Sequence, residues 1–215
     1  MINSLGRVAL AAGILGAGIL GAGILGTGIP GMGSPARAQS CDPGKPGGDL
    51  THDEAQAVYD CIKEDLHAGY MTGDKMWIPA AFVADYRGWT PANTLPANPG
   101  FHGGRFLLTF VSEPGASAYL EYKDENVDIP AGTVIAKESF AVDDAGKVEK
   151  GPLFIMQKVE AGKSPETMDW YYMAVAPNGS PMAVPVMTAC NECHMGNFGH
   201  QGGLGYPVEE VRIGQ

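Results

Sequence analysis

The feature that most constrains this chain is a C-x-x-C-H motif near its C-terminal end, formed by Cys190, Cys193 and His194. Two thiols and an imidazole this close together in the sequence indicate that the segment holds a bound group or forms a redox bond. The motif is used in proteins for a haem, a zinc ion or a redox-active disulfide.

Haem attachment is the use that the surrounding sequence favours. A structural zinc ion takes four protein ligands, and no second C-x-x-C or H-x-x-x-H pair is present to complete such a cage. A thioredoxin-like dithiol lies at a strand-to-helix turn of a βαβ unit, and that pattern is absent from the sequence around the motif. In c-type haem proteins the two cysteines bond to the porphyrin and the histidine binds iron. The sequence thus predicts one covalent haem c on Cys190 and Cys193, with His194 as the iron ligand.

The N-terminal segment has the order of a secretory signal peptide. A short start with one basic residue, Arg7, precedes a long apolar run in which GILGA recurs, and an A-x-A cleavage pattern follows at 36–38. We expect 1–38 to be removed and the mature chain to be periplasmic, without a membrane segment. An uncleaved membrane anchor is the alternative, because the apolar run is long enough to span a bilayer.

The charge balance restricts the kinds of partner. Removing Arg7 and Arg37 with the leader leaves 12 basic residues against 24 acidic ones, a net charge of −12. Such a surface repels nucleic acid and anionic membranes. The sequence therefore predicts a protein that binds neither.

Four cysteines are present, and two of them lie outside the motif. An exported protein matures in an oxidising compartment, where paired cysteines form disulfides. Parity therefore predicts a disulfide between Cys41 and Cys61, tying the N-terminal tail to the helix that follows it.

The pattern of the mature chain predicts a mainly β or α+β fold. Residues 39–50 are an irregular tail, and Thr51 with Glu54 forms a capping box at the start of an amphipathic helix. Four later segments are rich in β-branched and aromatic residues, with turn signals between them. These predicted strands cover 105–111, 132–142, 152–159 and 170–176. We expect one domain over 51–215: an antiparallel sheet with an N-terminal helix and a C-terminal haem c attachment segment.

Several residues are candidates for the surroundings of the haem. Met156 and His102 are the two candidates for a sixth iron ligand, although an open or solvent-occupied position is the favoured state. His102 and Arg105 could contact a haem propionate, since a cation offsets its charge, and a structural role for Arg105 is the equal alternative. Phe154 and Met156 share one face of a strand with Glu160 by alternation, so they line either the pocket or the core.

The order of motifs resembles the cytochrome P-460 family, which includes relatives called cytochrome c′-beta. The resemblance runs from about residue 86 to 194, through YRGWTPANT, FHGGRFLLTFV, IPAGTVIAKESF, FIMQKVEAG and CNECH. It does not cover the N-terminal helix or the tail after His194. The resemblance implies a mainly antiparallel β fold, often dimeric, around a five-coordinate c-type haem.

In the family members that oxidise hydroxylamine, a lysine in a G-T-x-x-x-K-E strand is bonded to the haem macrocycle. The matching residue is Lys137, in GTVIAKE. Alternation puts Lys137 on one strand face with Ile135 and Ser139, opposite Val134 and Ala136, and either face could meet the haem. A lysine that simply faces water is the other interpretation.

The active members also carry a glutamate in the distal pocket, and the nearest match here is Glu160. A carboxylate there could accept the protons that hydroxylamine releases, if burial raised its pKa. A solvent-facing glutamate at the end of the strand is the other interpretation of Glu160.

The resemblance thus implies a haem protein that oxidises hydroxylamine and passes electrons to a small redox partner protein. Lys137 and Glu160 would be its catalytic residues. The first alternative is a protein that binds a small nitrogen oxide such as nitric oxide without turnover. The second is a simple electron-transfer cytochrome c.

Overall fold

The computed structural model describes residues 40–182 and 185–214, and for 185–187 it describes the backbone alone. The predicted signal peptide, 1–38, lies outside the described residues. Within the described ranges, no helix is both long enough and apolar enough to cross a bilayer.

Strands in the described part of the chain form one antiparallel sheet. They are β1 Thr90–Pro91, β2 Phe106–Val111, β3 Val134–Val142, β4 Val148–Lys150, β5 Leu153–Lys158 and β6 Trp170–Val175. The order across the sheet is β1-β2-β3-β5-β6, and β4 pairs with the end of β3. The mainly β, α+β prediction is confirmed, and the four predicted strands correspond to β2, β3, β5 and β6. The short strands β1 and β4 were not predicted, because two or three residues carry no periodicity.

Helices lie before, between and after the strands. The α-helices are α1 His52–Met71, α2 Ala80–Asp85, α3 Ala116–Tyr119 and α4 Pro185–Phe198, and the 3-10 helices are Gly47–Asp49, Tyr86–Gly88, Pro165–Thr167, Gly199–Gln201 and Glu209–Val211. The predicted N-terminal helix is α1, and its capping box is present. Thr51 Oγ1 accepts a hydrogen bond from the Glu54 amide, and Glu54 Oε2 accepts one from the Thr51 amide at 2.9 Å.

The predicted disulfide between Cys41 and Cys61 is confirmed. It joins the segment before α1 to the middle of that helix, across 20 residues of sequence. The tail is irregular except for the 3-10 turn Gly47–Asp49. Disulfides form in oxidising compartments, so this bond agrees with a protein that matures outside the reducing cytosol.

The two faces of the sheet bury two different sets of residues. Val134 and Ala136 of β3 pack in a cluster with side chains of α1 and α2. Ile135, the residue between them, packs in another cluster with Met156, Trp170 and residues of α3 and the C-terminal tail. The second face is the one that meets α4, because α4 contacts β6 and Cys190 packs against this cluster.

Candidate functional site

Helix α4 places the three residues of the motif on one side. Cys190 and Cys193 are one helical turn apart, and His194 is four residues after Cys190, so all three side chains point in similar directions. Both thiols are free; Cys190 is half-buried and Cys193 is exposed. The His194 side chain is buried. The motif therefore presents two accessible thiols beside one buried imidazole.

A backbone carbonyl fixes the orientation of the His194 ring. Its Nδ1 lies 2.6 Å from the Gly203 oxygen. A carbonyl oxygen only accepts hydrogen bonds, so Nδ1 carries the proton and donates it, which leaves Nε2 unprotonated. Burial, reinforced by the charge of Lys137, lowers the pKa of His194 to about 4, so the ring is neutral at physiological pH. A neutral ring with an unprotonated Nε2 is the form that binds a metal.

Two adjoining cavities lie beside this ring. The outer one measures about 250 Å³ and lies along α4. Its lining consists of Phe101, His102, Ala189, Cys190, Cys193, His194 and Phe198. The inner one, about 20 Å³, extends towards the sheet. It shares His102, Cys190 and His194 with the outer cavity and adds Ile135, Lys137, Phe154, Ile155, Met156, Tyr172 and Met173.

Lys137 lies on the sheet face that meets α4, and its side chain is buried at the inner cavity. The alternative of a lysine facing water is wrong for this structure. Its Nζ donates a hydrogen bond of 2.6 Å to the Gly205 oxygen. Burial lowers the pKa of Lys137 to about 8. A part of the molecules therefore carries a neutral amine at this position near physiological pH.

His102 and Met156, the two candidates for a sixth ligand, both line the inner cavity. The His102 ring stacks on Phe154 with 4.7 Å between ring centroids, and its centroid lies 6.1 Å from that of His194. Burial lowers the pKa of His102 to about 3, so this ring is neutral as well. Phe154 and Met156 both line the inner cavity, one of the two places that alternation left open for them, and Met156 also packs in the core.

Two residues that line the inner cavity have a buried polar atom without a hydrogen-bond partner among the described residues: His102 Nδ1 and Tyr172 Oη. Arg105 Nη1 also has none, but Arg105 lines neither cavity. Buried polar atoms without a partner cost free energy, and such a site commonly holds water, an ion or a ligand. The His102 and Tyr172 rings both lie beside His194, so their unpartnered atoms could meet polar groups of a bound ligand.

Glu160 does not reach either cavity, which corrects its predicted place in the distal pocket. Its side chain is exposed. Strand β5 ends at Lys158, and Glu160 lies in the following turn. There the backbone oxygen of Glu160 accepts a hydrogen bond from the Lys163 amide. The alternation that relates Glu160 to Met156 therefore stops two residues too early. No carboxylate lines either cavity among the residues the structure describes.

Sequence reasoning missed Tyr172, Phe198 and the tail glycines Gly203 and Gly205. Tyr172 could have been found, because the pairing of Met156 with Tyr172 follows once β5 and β6 are aligned as a hairpin. No local pattern pointed to the tail, since its contribution is made by backbone carbonyls. Those carbonyls carry no sequence signature beyond the glycines themselves.

In the described ranges no three His, Cys, Asp or Glu side chains form a group that could hold a metal ion. Scans of this chain against protein-family models and against curated proteins find no match.

Proposed function

We propose that this protein is an exported mono-haem c-type cytochrome. Cys190 and Cys193 would hold the haem through thioether bonds, and His194 Nε2 would bind its iron. The observation that carries the proposal is the His194 ring, which is buried, neutral and oriented by Gly203 beside two free thiols and a cavity. A c-type haem needs only one protein ligand to its iron, so the absence of a three-residue metal cluster in the described ranges is compatible with it.

The residues present fit such a group. The outer cavity is lined mainly by apolar and aromatic side chains, which suit a flat porphyrin. His102 at the cavity wall has an unpartnered nitrogen atom that could meet a propionate group, whereas Arg105, the other candidate for this contact, lines neither cavity. When bound, a haem supplies one-electron redox chemistry and a coordination position for a small ligand.

Within this proposal, we assign the protein to the cytochrome P-460 type and propose that it oxidises hydroxylamine. The buried Lys137 amine supports this placement, because it lies at the inner cavity where a bond to the macrocycle could form. Where that bond does not form, the free amine could instead accept a proton at Nζ, since burial lowers its pKa to about 8. Glu160 has no part in this scheme. Electrons would leave through a small redox partner protein in the periplasm, and a homodimer is the assembly that the resemblance implies.

A second function is supported by the lining of the cavities. Phe101, Phe154, Phe198 and Met156 make it apolar, and it contains no carboxylate among the described residues. A small uncharged ligand such as nitric oxide suits this lining, and its binding needs no proton acceptor. Binding of nitric oxide without turnover is therefore the second candidate.

The test is the intact mass and absorption spectrum of protein exported together with factors that attach haem c. We expect one haem that stays bound after denaturation. The variant C190A/C193A should carry none, and C41A/C61A, which also loses two cysteines, should keep it. Equal haem content in the two variants would contradict the proposal, as would a wild-type protein without covalent haem.

Turnover separates the two functions. The P-460 placement predicts hydroxylamine-dependent reduction of an electron acceptor that is lost in K137M. Tight nitric oxide binding in both proteins, with no hydroxylamine turnover in either, would establish the second function instead.

A further inference from the structure

The tail after α4 makes an unusual set of hydrogen bonds. We use the term strap for Gly202–Tyr206, in which four successive carbonyl oxygens accept hydrogen bonds from side chains. Gly202 accepts from Trp170 Nε1 at 2.9 Å, Gly203 from His194 Nδ1 at 2.6 Å, Leu204 from Gln201 Nε2, and Gly205 from Lys137 Nζ at 2.6 Å and from Tyr119 Oη at 3.2 Å. The iron-ligand candidate and the buried lysine are therefore held by carbonyls two residues apart.

The glycines of the strap allow these contacts. Gly203 has φ +78°, a backbone conformation that side chains disfavour, and a Cβ there would lie 2.5 Å from Met195 Cε. A Cβ on Gly205 would lie 3.1 Å from the Phe198 ring and 3.5 Å from Lys137 Nζ. The positive φ therefore favours glycine at position 203, and a side chain at position 205 would press against the Phe198 ring.

The strap is also anchored at points away from the site. Leu204 is buried in the cluster that contains Tyr119 and Trp170. The Gly203 amide donates a hydrogen bond of 2.8 Å to the Phe198 oxygen, which joins the strap to the end of α4. With its side-chain, amide and carbonyl contacts, the strap is a fixed part of the structure.

We propose that the strap is a positioning element that fixes His194 and Lys137 relative to one another at the cofactor site. The effect of the strap on an iron-bound His194 rests on the proposed function. The Gly203 carbonyl holds the His194 proton on Nδ1 and strengthens Nε2 as a donor to metal. The Gly205 carbonyl holds the Lys137 amine at the inner cavity, and both contacts depend on the same five residues. Neither glycine lines either cavity, so the strap acts through the two side chains.

The test loosens the strap without altering His194, Lys137 or the cavities. The variant Y119F/Q201M removes the donors to Gly205 and Leu204, and neither residue lines the cavities. The matched control is Y122F, because Tyr122 belongs to the same aromatic group but donates to the Ala92 oxygen.

Two readouts are taken on haem-loaded protein. Hydrogen exchange of the strap amides should be about tenfold faster in Y119F/Q201M, as expected for the loss of two ordinary hydrogen bonds. The iron–histidine stretching frequency of the ferrous protein should fall, because a weaker Nδ1 hydrogen bond makes His194 a poorer donor. Y122F should match the wild type in both measurements.

Unchanged exchange, or faster exchange with an unchanged iron–histidine frequency, would overturn the proposal, and so would an equal effect in Y122F. If Y119F/Q201M does not fold, Y119F alone is used with the same readouts and a smaller expected change. If the wild type binds no haem, the proposed function fails while the strap is still tested by ¹⁵N NMR of His194. A proton fixed on Nδ1 in wild type, and shared with Nε2 in the variant, would then support the strap, and the same tautomer in both would overturn it.

Discussion

At the scale of single residues, β3 buries two neighbouring charged side chains on opposite faces of the sheet. Lys137 lies at the inner cavity, whereas Glu138 lies on the face that meets α1 and is 1% exposed. Glu138 Oε1 is 2.5 Å from Arg87 Nη2, and its Oε2 accepts a hydrogen bond of 2.9 Å from Tyr59. The two side chains therefore have separate roles, Glu138 in joining α1 to the sheet and Lys137 at the site.

Removing the charge of Glu138 should destabilise the fold. We expect E138Q to lower the free energy of unfolding by about 3 kcal/mol, because Arg87 loses its buried partner. The matched control is E64Q, since Glu64 is 81% exposed and lies 3.6 Å from the same arginine. That change should cost about 0.5 kcal/mol or less. Urea denaturation measures both, and equal losses would show that burial of the Glu138 pair does not matter.

The titration of Lys137 should appear in the pH dependence of stability. Burial lowers its pKa from 10.5 to about 8, so between these values the unfolded chain holds a proton that the folded protein has released. Stability should therefore rise with pH in this window, by about 1 kcal/mol per unit. K137M should lack the rise, and K147M, which removes an exposed lysine, should retain it.

This pH series uses protein made without haem-attachment factors, so that Lys137 has no bond to a macrocycle. Unfolding free energies are compared between about pH 8 and 9, because the tyrosines of the unfolded chain ionise near pH 10. Parallel curves for wild type and K137M would mean that Lys137 is not desolvated.

At the scale of elements, the disulfide stabilises the position of α1 against the tail before it. The bond closes a loop across 20 residues of sequence. A loop of this length is expected to contribute about 3 kcal/mol by restricting the unfolded chain. C41A/C61A should lose this amount in urea denaturation, and reduction of the wild type should reproduce the loss. A loss well below that of E138Q would indicate that the tail contributes little to the fold.

The ends of elements are where the sequence prediction failed. The capping box at Thr51 fixed the start of α1, because its hydrogen bonds are local. The end of β5 has no comparable signal, so alternation was carried past Lys158 to Glu160. Strand ends depend on where the partner strand turns, and here the β5–β6 connection closes with the Val159 amide bonded to the Asp169 oxygen.

At the scale of the whole molecule, the sheet separates a structural side from the candidate site. Helix α1 and Glu138 occupy one face, while α4, Lys137 and the strap occupy the other. The disulfide and the two free cysteines therefore lie on different parts of the fold.

The thiol count of the denatured and reduced protein should report whether thioether bonds form. The chain has four cysteines, of which two form the disulfide and two are free. Protein exported with haem-attachment factors should show only the two thiols of the former disulfide, because thioether bonds resist reduction, and protein exported without them should show four. Four reactive thiols in both preparations would mean that no thioether bonds form.

The sequence by itself determined the elements whose causes are local. Four strands followed from runs of β-branched and aromatic residues with turns between them, α1 from its capping box and the disulfide from parity. Only the tertiary structure decided which face of β3 meets α4, that Glu160 lies outside the cavities, and that the glycine-rich tail holds His194 and Lys137. Those outcomes depend on strand register and on contacts between residues far apart in the chain, and such contacts leave no periodic trace in the sequence.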